Sequence, residues 1–293
     1  MVFGDSIKEQ VRLVECPRDA MQGWSHIIPT EKKIAYLNEL MKVGFDTLDF
    51  GSFVSHKSIP QMADTKEVLH ALELHEKKSR LLAIVANTRG GEEASAYQQI
   101  DDIGFPFSVS ETFQKRNTNS SIKQSLETVA SIQHICKAQN KRAVIYISMA
   151  FGNPYGDPWS SDAVLGYIHS IVGLGIEVIS LADTVGLATV EQVEFLTRSV
   201  IREFPDIETG VHLHSRAEHS IEKIDAAFAA GCRRFDGAIH GIGGCPMAGD
   251  ELVGNMDSLI MIEYFKNMGF LTDFNNEALS ECSKISSEIF SNQ

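Results

Sequence analysis

No stretch of this chain runs uncharged and apolar for about 18 residues, so no bilayer-spanning helix is expected. Basic residues are also in the minority, with 26 Lys and Arg against 39 Asp and Glu and a formal net charge of −13. Nucleic acid and anionic membranes need basic surface and are excluded as main partners, whereas a small anion needs only a local positive cluster. Cysteine is scarce and scattered: Cys16, Cys136, Cys232, Cys245 and Cys282 are odd in number and include no C-x-x-C pair. An all-thiolate zinc site is thereby excluded, and reduced thiols fit better than a disulfide framework. The opening MVFGDSIKEQVRLVEC has neither an apolar signal core nor the Arg- and Ser-rich character of a transit segment. A cytoplasmic protein is expected. No low-complexity linker divides the chain, so residues 1–293 are expected to form one domain.

What the chain does contain is one rhythm repeated. Short β-branched runs at 11–16, 46–50, 81–86, 106–110, 143–148, 176–181, 209–214 and 234–239 alternate with longer amphipathic segments. Thr30 is placed to cap a helix that stops at Gly44, and further helices are expected near 62–75, 91–100, 120–139, 160–173, 189–203 and 217–230. The final segment, 255–291, supplies an eighth helix and a terminal one. The strands read as continuous apolar runs, as they do when both faces of a parallel sheet are buried. Eight such units predict an α/β fold, a (β/α)8 TIM barrel with an additional C-terminal helical segment.

In that barrel the working side chains lie at the C-terminal ends of the strands. Arg18 and Asp19 follow strand one, Asp49 ends strand two, Ser148 ends strand five and Asp183 follows strand six. Strand seven ends in HLH, which puts His212 and His214 on one face, a half-site for a divalent metal. With Asp19 they form a mixed nitrogen–oxygen set suited to Mg²⁺ or Mn²⁺, with Zn²⁺ as an alternative. After strand eight, glycines at 241, 243, 244 and 249 frame Cys245 in a segment built to bend sharply or close over something. Lys115 and Arg116, in SETFQKRNTNSS, read as a solvated loop, with contact to phosphates as the alternative.

The motifs VRLVECPRDAMQ, GSFVSHKSIPQMADTKEVL, SLADTVG, VHLH and GGCPMA, followed by Gly254-Asn255, run through nearly the whole sequence. In them the chain resembles the 3-hydroxy-3-methylglutaryl-CoA lyases, metal-dependent barrels that break carbon–carbon bonds by Claisen-type chemistry. The resemblance implies that Asp19, His212, His214 and Asn255 bind the divalent cation. It implies Arg18 as the group that stabilises enolate charge and Cys245 as a thiol on a mobile loop. Asp49 stands where the family has Glu and is expected, as a shorter carboxylate, to do that residue's catalytic work; Leu259 stands where the family has an acidic residue and Ser215 where Asp or Asn is usual. Met149 and Asn153 stand where cysteines are frequent. Gln22, Ser52, Ser148, Asp183 and Thr184 are the residues expected to meet substrate. An acyl-CoA substrate and a homodimer follow from the same resemblance. The chemistry expected is cleavage of 3-hydroxy-3-methylglutaryl-CoA to acetyl-CoA and acetoacetate. The alternatives are a synthase of the isopropylmalate or homocitrate kind, an aldolase on a non-CoA hydroxy acid, and a non-catalytic metal- or CoA-binding barrel.

Overall fold

A computed structural model describes residues 10–75, 77–244, 253–271 and 273–291. Strands β1 (Arg12–Glu15), β2 (Thr47–Ser52), β3 (Arg80–Ile84), β4 (Asp102–Ser108), β5 (Arg142–Ser148), β6 (Val178–Asp183), β7 (Glu208–Leu213) and β8 (Arg234–Gly237) pair in chain order into a closed parallel barrel. Around it run α1 (Pro17–Gln22), α2 (Thr30–Val43), α3 (Thr65–Ala71), α4 (Thr88–Ser95), α5 (Glu111–Thr118), α6 (Ile122–Ala138), α7 (Ser161–Gly173), α8 (Val190–Glu203), α9 (Ala217–Ala229) and α10 (Ser258–Asn267). The terminal α11 (Asn276–Ile289) packs against α2. This is the expected (β/α)8 barrel with its C-terminal helical extension. Among the described residues no helix is long and apolar enough to cross a membrane.

Side-chain alternation divides each strand between two environments. On β3, Leu81 and Ala83 join the large core beneath the helices, while Leu82 and Ile84 meet Val144, Tyr146 and Val178 inside the bore. The first residues of the strands close the other end of the bore with ion pairs. Asp102 is held by Arg80 at 2.6 Å and by Arg142 at 2.8 Å, and Glu208 by Arg12 at 2.8 Å. Charge thus seals the N-terminal end and leaves the C-terminal end open for a site.

Several local expectations shift. Strand β4 begins at Asp102 rather than 106, because Asp102 pairs across to Arg80 and Arg142 and Gly104 fits where a Cβ would lie 2.5 Å from Ile84 Cδ1. Thr30 does not cap α2; Pro29 precedes the helix, and the Thr30 hydroxyl donates instead to Asp64 at 2.8 Å. The segment holding Lys115 and Arg116 is not a loop but helix α5, capped by Ser110, whose Oγ accepts from Phe113 N.

At the end of β1, Glu15 is fully buried and ties three elements together. Its carboxyl accepts from Ile239 N at 2.9 Å and from the hydroxyl of Ser258, the first residue of α10. Burial pushes this carboxyl up to about 8, only partly opposed by the Ser258 and Ile239 hydrogen bonds. The folded protein therefore holds a proton that the unfolded chain releases above about pH 4.5. Stability from this group is complete below that pH and is lost as pH rises through 8. Glu15→Gln has no such proton to lose. Between pH 5 and pH 9 the wild type should lose roughly 2–4 kcal/mol relative to Glu15→Gln in urea unfolding. Parallel pH profiles for the two proteins would refute this.

Candidate active site

At the open end of the barrel, β1 runs directly into α1, with Pro17 at the first helical position where its missing N–H is no loss. That short turn presents Arg18 and Asp19 side by side, both buried. Arg18 donates from Nε to Asp49 Oδ2 at 2.9 Å and from Nη2 to the same oxygen at 2.5 Å, while Nη1 reaches Gln22 Oε1 at 2.8 Å and Asp19 Oδ1 at 3.2 Å. Burial opposes charge on Arg18, yet Asp49 and Asp19 more than offset it and raise its pKa. Burial pushes the Asp49 carboxyl up to about 6, with the Arg18 guanidinium holding it back. The pair is ionic at neutral pH.

His212 lies on β7 and His214 just beyond it, with ring centroids 5.2 Å apart. An antiparallel bridge pairs His214 with Asn255, and Ser215 N donates to Gly254 O at 3.1 Å, so the segment after the glycine-rich stretch is stitched to β7. Ligand atoms of Asp19, His212 and His214 all lie within 4.8 Å of one another. Asn255 Nδ2 donates to Asp19 Oδ2 at 2.8 Å and to Ile242 O at 2.9 Å, whereas its buried Oδ1 has no hydrogen-bond partner. His214 Nδ1 lies 2.8 Å from Val253 O, and a carbonyl can only accept, so Nδ1 carries the hydrogen and Nε2 keeps a free lone pair.

At Asp19 and His214 the electrostatics agree with that geometry. Burial works to raise the Asp19 pKa, but Arg18 and the two histidines prevail and lower it, so the carboxylate stays charged. Burial, aided by His212, pushes His214 down to about 4, leaving a neutral imidazole. Burial also pulls at His212, but Asp236 and Asp19 outweigh it and shift that ring upward. An anionic oxygen, imidazole lone pairs and an unsatisfied amide oxygen are a donor set that fits a divalent cation.

The glycine-rich stretch has a packing duty at this point. Gly243, at φ +110°, presses so closely that a Cβ would stand 2.6 Å from Asn255 Nδ2 and 3.1 Å from Asp19 O. Cys245 itself lies outside the described residues.

A cavity of ≈ 380 Å³ opens beside these groups, lined by Arg18, Asp19, Gln22, Ser148, Thr184, His212 and His214 on its polar side. Three expected substrate residues, Gln22, Ser148 and Thr184, thus face it. Ser52 and Asp183 do not line it. Ser52 spends its hydroxyl on Val54 N, and Asp183 accepts from Leu187 N, Ala188 N and Lys223 Nζ, closing the turn after β6. Asp49 also lies behind the cavity lining, as the anchor of Arg18. Residues that sequence reasoning missed complete the wall: Trp24, Ile59, Phe113, Asn117 and Tyr146. Phe113 and Asn117 arrive on α5, whose capping serine Ser110 was the available signal.

A barrel with a carboxylate–imidazole cluster and a guanidinium at one mouth defines the class of (β/α)8 barrels with a candidate metal site. Within that class, the sequence pattern of the HMGL-like family matches residues 11–285, and the chain belongs to this family. It is 31% identical over 270 residues to the cytoplasmic 3-hydroxy-3-methylglutaryl-CoA lyase of Homo sapiens, covering 92% of this chain and 72% of that one. It is 30% identical over 268 residues to the hydroxymethylglutaryl-CoA lyase YngG of Bacillus subtilis, covering 92% and 89%. Among solved structures, the HMG-CoA lyase of Acinetobacter baumannii, in complex with coenzyme A and 3-methylmalate, superposes with a TM-score of 0.87 at 27% identity, covering 96% of this chain and 91% of that one.

Proposed function

We propose that this protein is a divalent-metal-dependent carbon–carbon lyase that cleaves 3-hydroxy-3-methylglutaryl-CoA to acetyl-CoA and acetoacetate. The observation that carries the reading is the Asp19–His212–His214 cluster, with the free Oδ1 of Asn255, set beside the Arg18 guanidinium at one cavity. The named activities of the relatives support it, as does the coenzyme A bound to the Acinetobacter baumannii enzyme.

Breaking the bond between C2 and C3 of a 3-hydroxyacyl thioester requires loss of the hydroxyl proton and leaves a thioester enolate. A cation such as Mg²⁺ or Mn²⁺, held by Asp19, His212, His214 and Asn255, supplies Lewis acidity toward the substrate's oxygens. Arg18 keeps its charge at every working pH and stabilises the developing enolate oxygen. Asp49 locks the guanidinium plane through Nε and Nη2, which leaves Nη1 toward Asp19 and Gln22. Ile59, Ile84, Pro106 and Phe113 line the apolar side of the cavity, a surface suited to an acyl chain and poor for water. Cys245 is assigned, on the family resemblance, as the thiol that returns a proton to the enolate carbon.

The test is incubation of the purified protein with Mn²⁺ and a panel of 3-hydroxyacyl-CoA esters, with chromatographic detection of both products. Acetyl-CoA and acetoacetate in equal amounts are expected from the 3-hydroxy-3-methylglutaryl ester. Cleavage of free hydroxy acids alone would favour the aldolase, and metal binding without turnover the non-catalytic barrel.

A further inference from the structure

Directly beneath the grouped ligand atoms the bore is charged, and the chemistry above makes no use of it. Arg234 and Asp236 sit two residues apart on β8 and share the inward face. Asp236 is 2% exposed, and its Oδ2 accepts from Ser180 Oγ on β6 at 3.2 Å and lies 3.4 Å from His212 Nδ1. Its Oδ1 has no hydrogen-bond partner, and Arg234 Nε stands 3.9 Å from it. Arg234 is 1% exposed, and none of its three guanidinium nitrogens makes a hydrogen bond. Its other facing anions are Glu208, 3.5 Å from Nη1, and Asp46, 4.0 Å from the same nitrogen. Gly210 on β7 makes room for this arginine, since a Cβ there would come within 2.8 Å of Arg234 Cδ.

A cation this deeply buried, held by charge alone, is costly unless facing carboxylates offset the cost, and Asp236 is the one of them that also faces His212. The two imidazoles show what that carboxylate is for. A metal-ligating histidine almost always donates its second ring N–H to a fixed acceptor, which sets the tautomer and the ring plane. His214 has that acceptor in Val253 O. The corresponding nitrogen of His212, Nδ1, is buried with no hydrogen bond made, and the carboxylate facing it belongs to Asp236.

We propose that Asp236 is a positioning residue for the metal site: it accepts a hydrogen bond from His212 Nδ1–H, aims Nε2 at the shared centre with Asp19 and His214, and is steadied by Ser180 and the buried Arg234. The inference rests on the metal reading of the site. One imidazole is then oriented by a backbone carbonyl and the other by a charged side chain on the neighbouring strand. Arg234 acts one step further back, as the counter-charge that makes a carboxylate tolerable in the bore.

The test is Mn²⁺ titration of the metal-free wild type, Asp236→Asn and Ser180→Ala, reading free Mn²⁺ by electron paramagnetic resonance. Melting temperatures and ¹⁵N shifts of the His212 ring are recorded on the same metal-free samples. Asp236→Asn should weaken Mn²⁺ binding by about 10–100-fold and move the His212 ring away from the Nδ1–H form. Ser180→Ala should act in the same direction by about 2–5-fold, because it loosens the carboxylate without removing it. A folded Asp236→Asn protein with wild-type affinity and unmoved ring shifts overturns the proposal. Should that variant not fold, unchanged affinity and ring shifts in Ser180→Ala overturn it equally. A wild type that binds no Mn²⁺ removes the metal reading itself, a result separate from any difference between variants.

Discussion

Arg18→Lys should lower kcat for acetoacetate formation by about 10³-fold while changing Mn²⁺ affinity little, although the substitution keeps the charge. The guanidinium does several things at once that one ammonium cannot. Nε and Nη2 grip Asp49, and Nη1 touches both Gln22 and Asp19. A lysine amine reaching Asp49 would leave the region above Asp19 without a donor, and one reaching substrate would leave Asp49 buried and unpaired. Burial already pushes that carboxyl up to about 6 with the guanidinium present, so its loss would drive protonation and local rearrangement. Removing the partner of a buried charge costs about 3–5 kcal/mol, so a lowered melting temperature should accompany the kinetic loss. Steady-state assays with saturating Mn²⁺ decide the matter. A kcat within about tenfold of wild type would show that the guanidinium does not act on the developing charge.

The barrel was legible because it depends on period and repetition, which survive in one sequence. The H-x-H pair was legible for the same reason: strand alternation alone puts His212 and His214 on one face, and their rings lie 5.2 Å apart. Helix α5 was hidden because ETFQKRNT carries almost no apolar face; its place is fixed by Ser110 at its start and by Asp157, whose Oδ2 accepts from Thr112 N at 2.8 Å, 45 residues away in sequence. Strand β4 was displaced because Gly104 looks like a breaker until the bore shows why a small residue is needed there. Asp183 had the right position at a strand end, but its oxygens are spent on Leu187, Ala188 and Lys223. Position at the rim is set by topology, whereas direction depends on neighbours that sequence does not bring together. Asp236 shows the reverse case. Arg234 and Asp236, spaced by one residue in RFDGAI, passed unread within an apolar strand, and only the fold sets Asp236 beneath His212.

Asp19→Asn is expected to cost most, about 10³–10⁴-fold in turnover, because a bound cation contributes several kcal/mol of charge stabilisation in such reactions. Asp19 is the one carboxylate in the three-residue cluster, and its two oxygens already receive donors: Arg18 Nη1 and Gln22 Nε2 on Oδ1, and Asn255 Nδ2 on Oδ2. An amide at this position withdraws the negative charge and turns an NH₂ group toward one of those donors. The Asn255 side chain must then swing, and its unpaired Oδ1 leaves the shared centre. Mn²⁺ affinity should therefore fall together with turnover, by at least about 10²-fold. Gly243→Ala offers a graded version of the same damage without altering a donor atom. The new methyl would meet Asn255 Nδ2, Asp19 O and Ala20 Cα, and the last two are backbone atoms that cannot move aside, at a φ of +110° that already disfavours alanine. Its Mn²⁺ affinity should lie between wild type and Asp19→Asn, with turnover at saturating Mn²⁺ recovering further than in Asp19→Asn. Mn²⁺ affinity within about tenfold of wild type in Asp19→Asn would place the cation elsewhere and leave Asp19 as a partner of Arg18 alone.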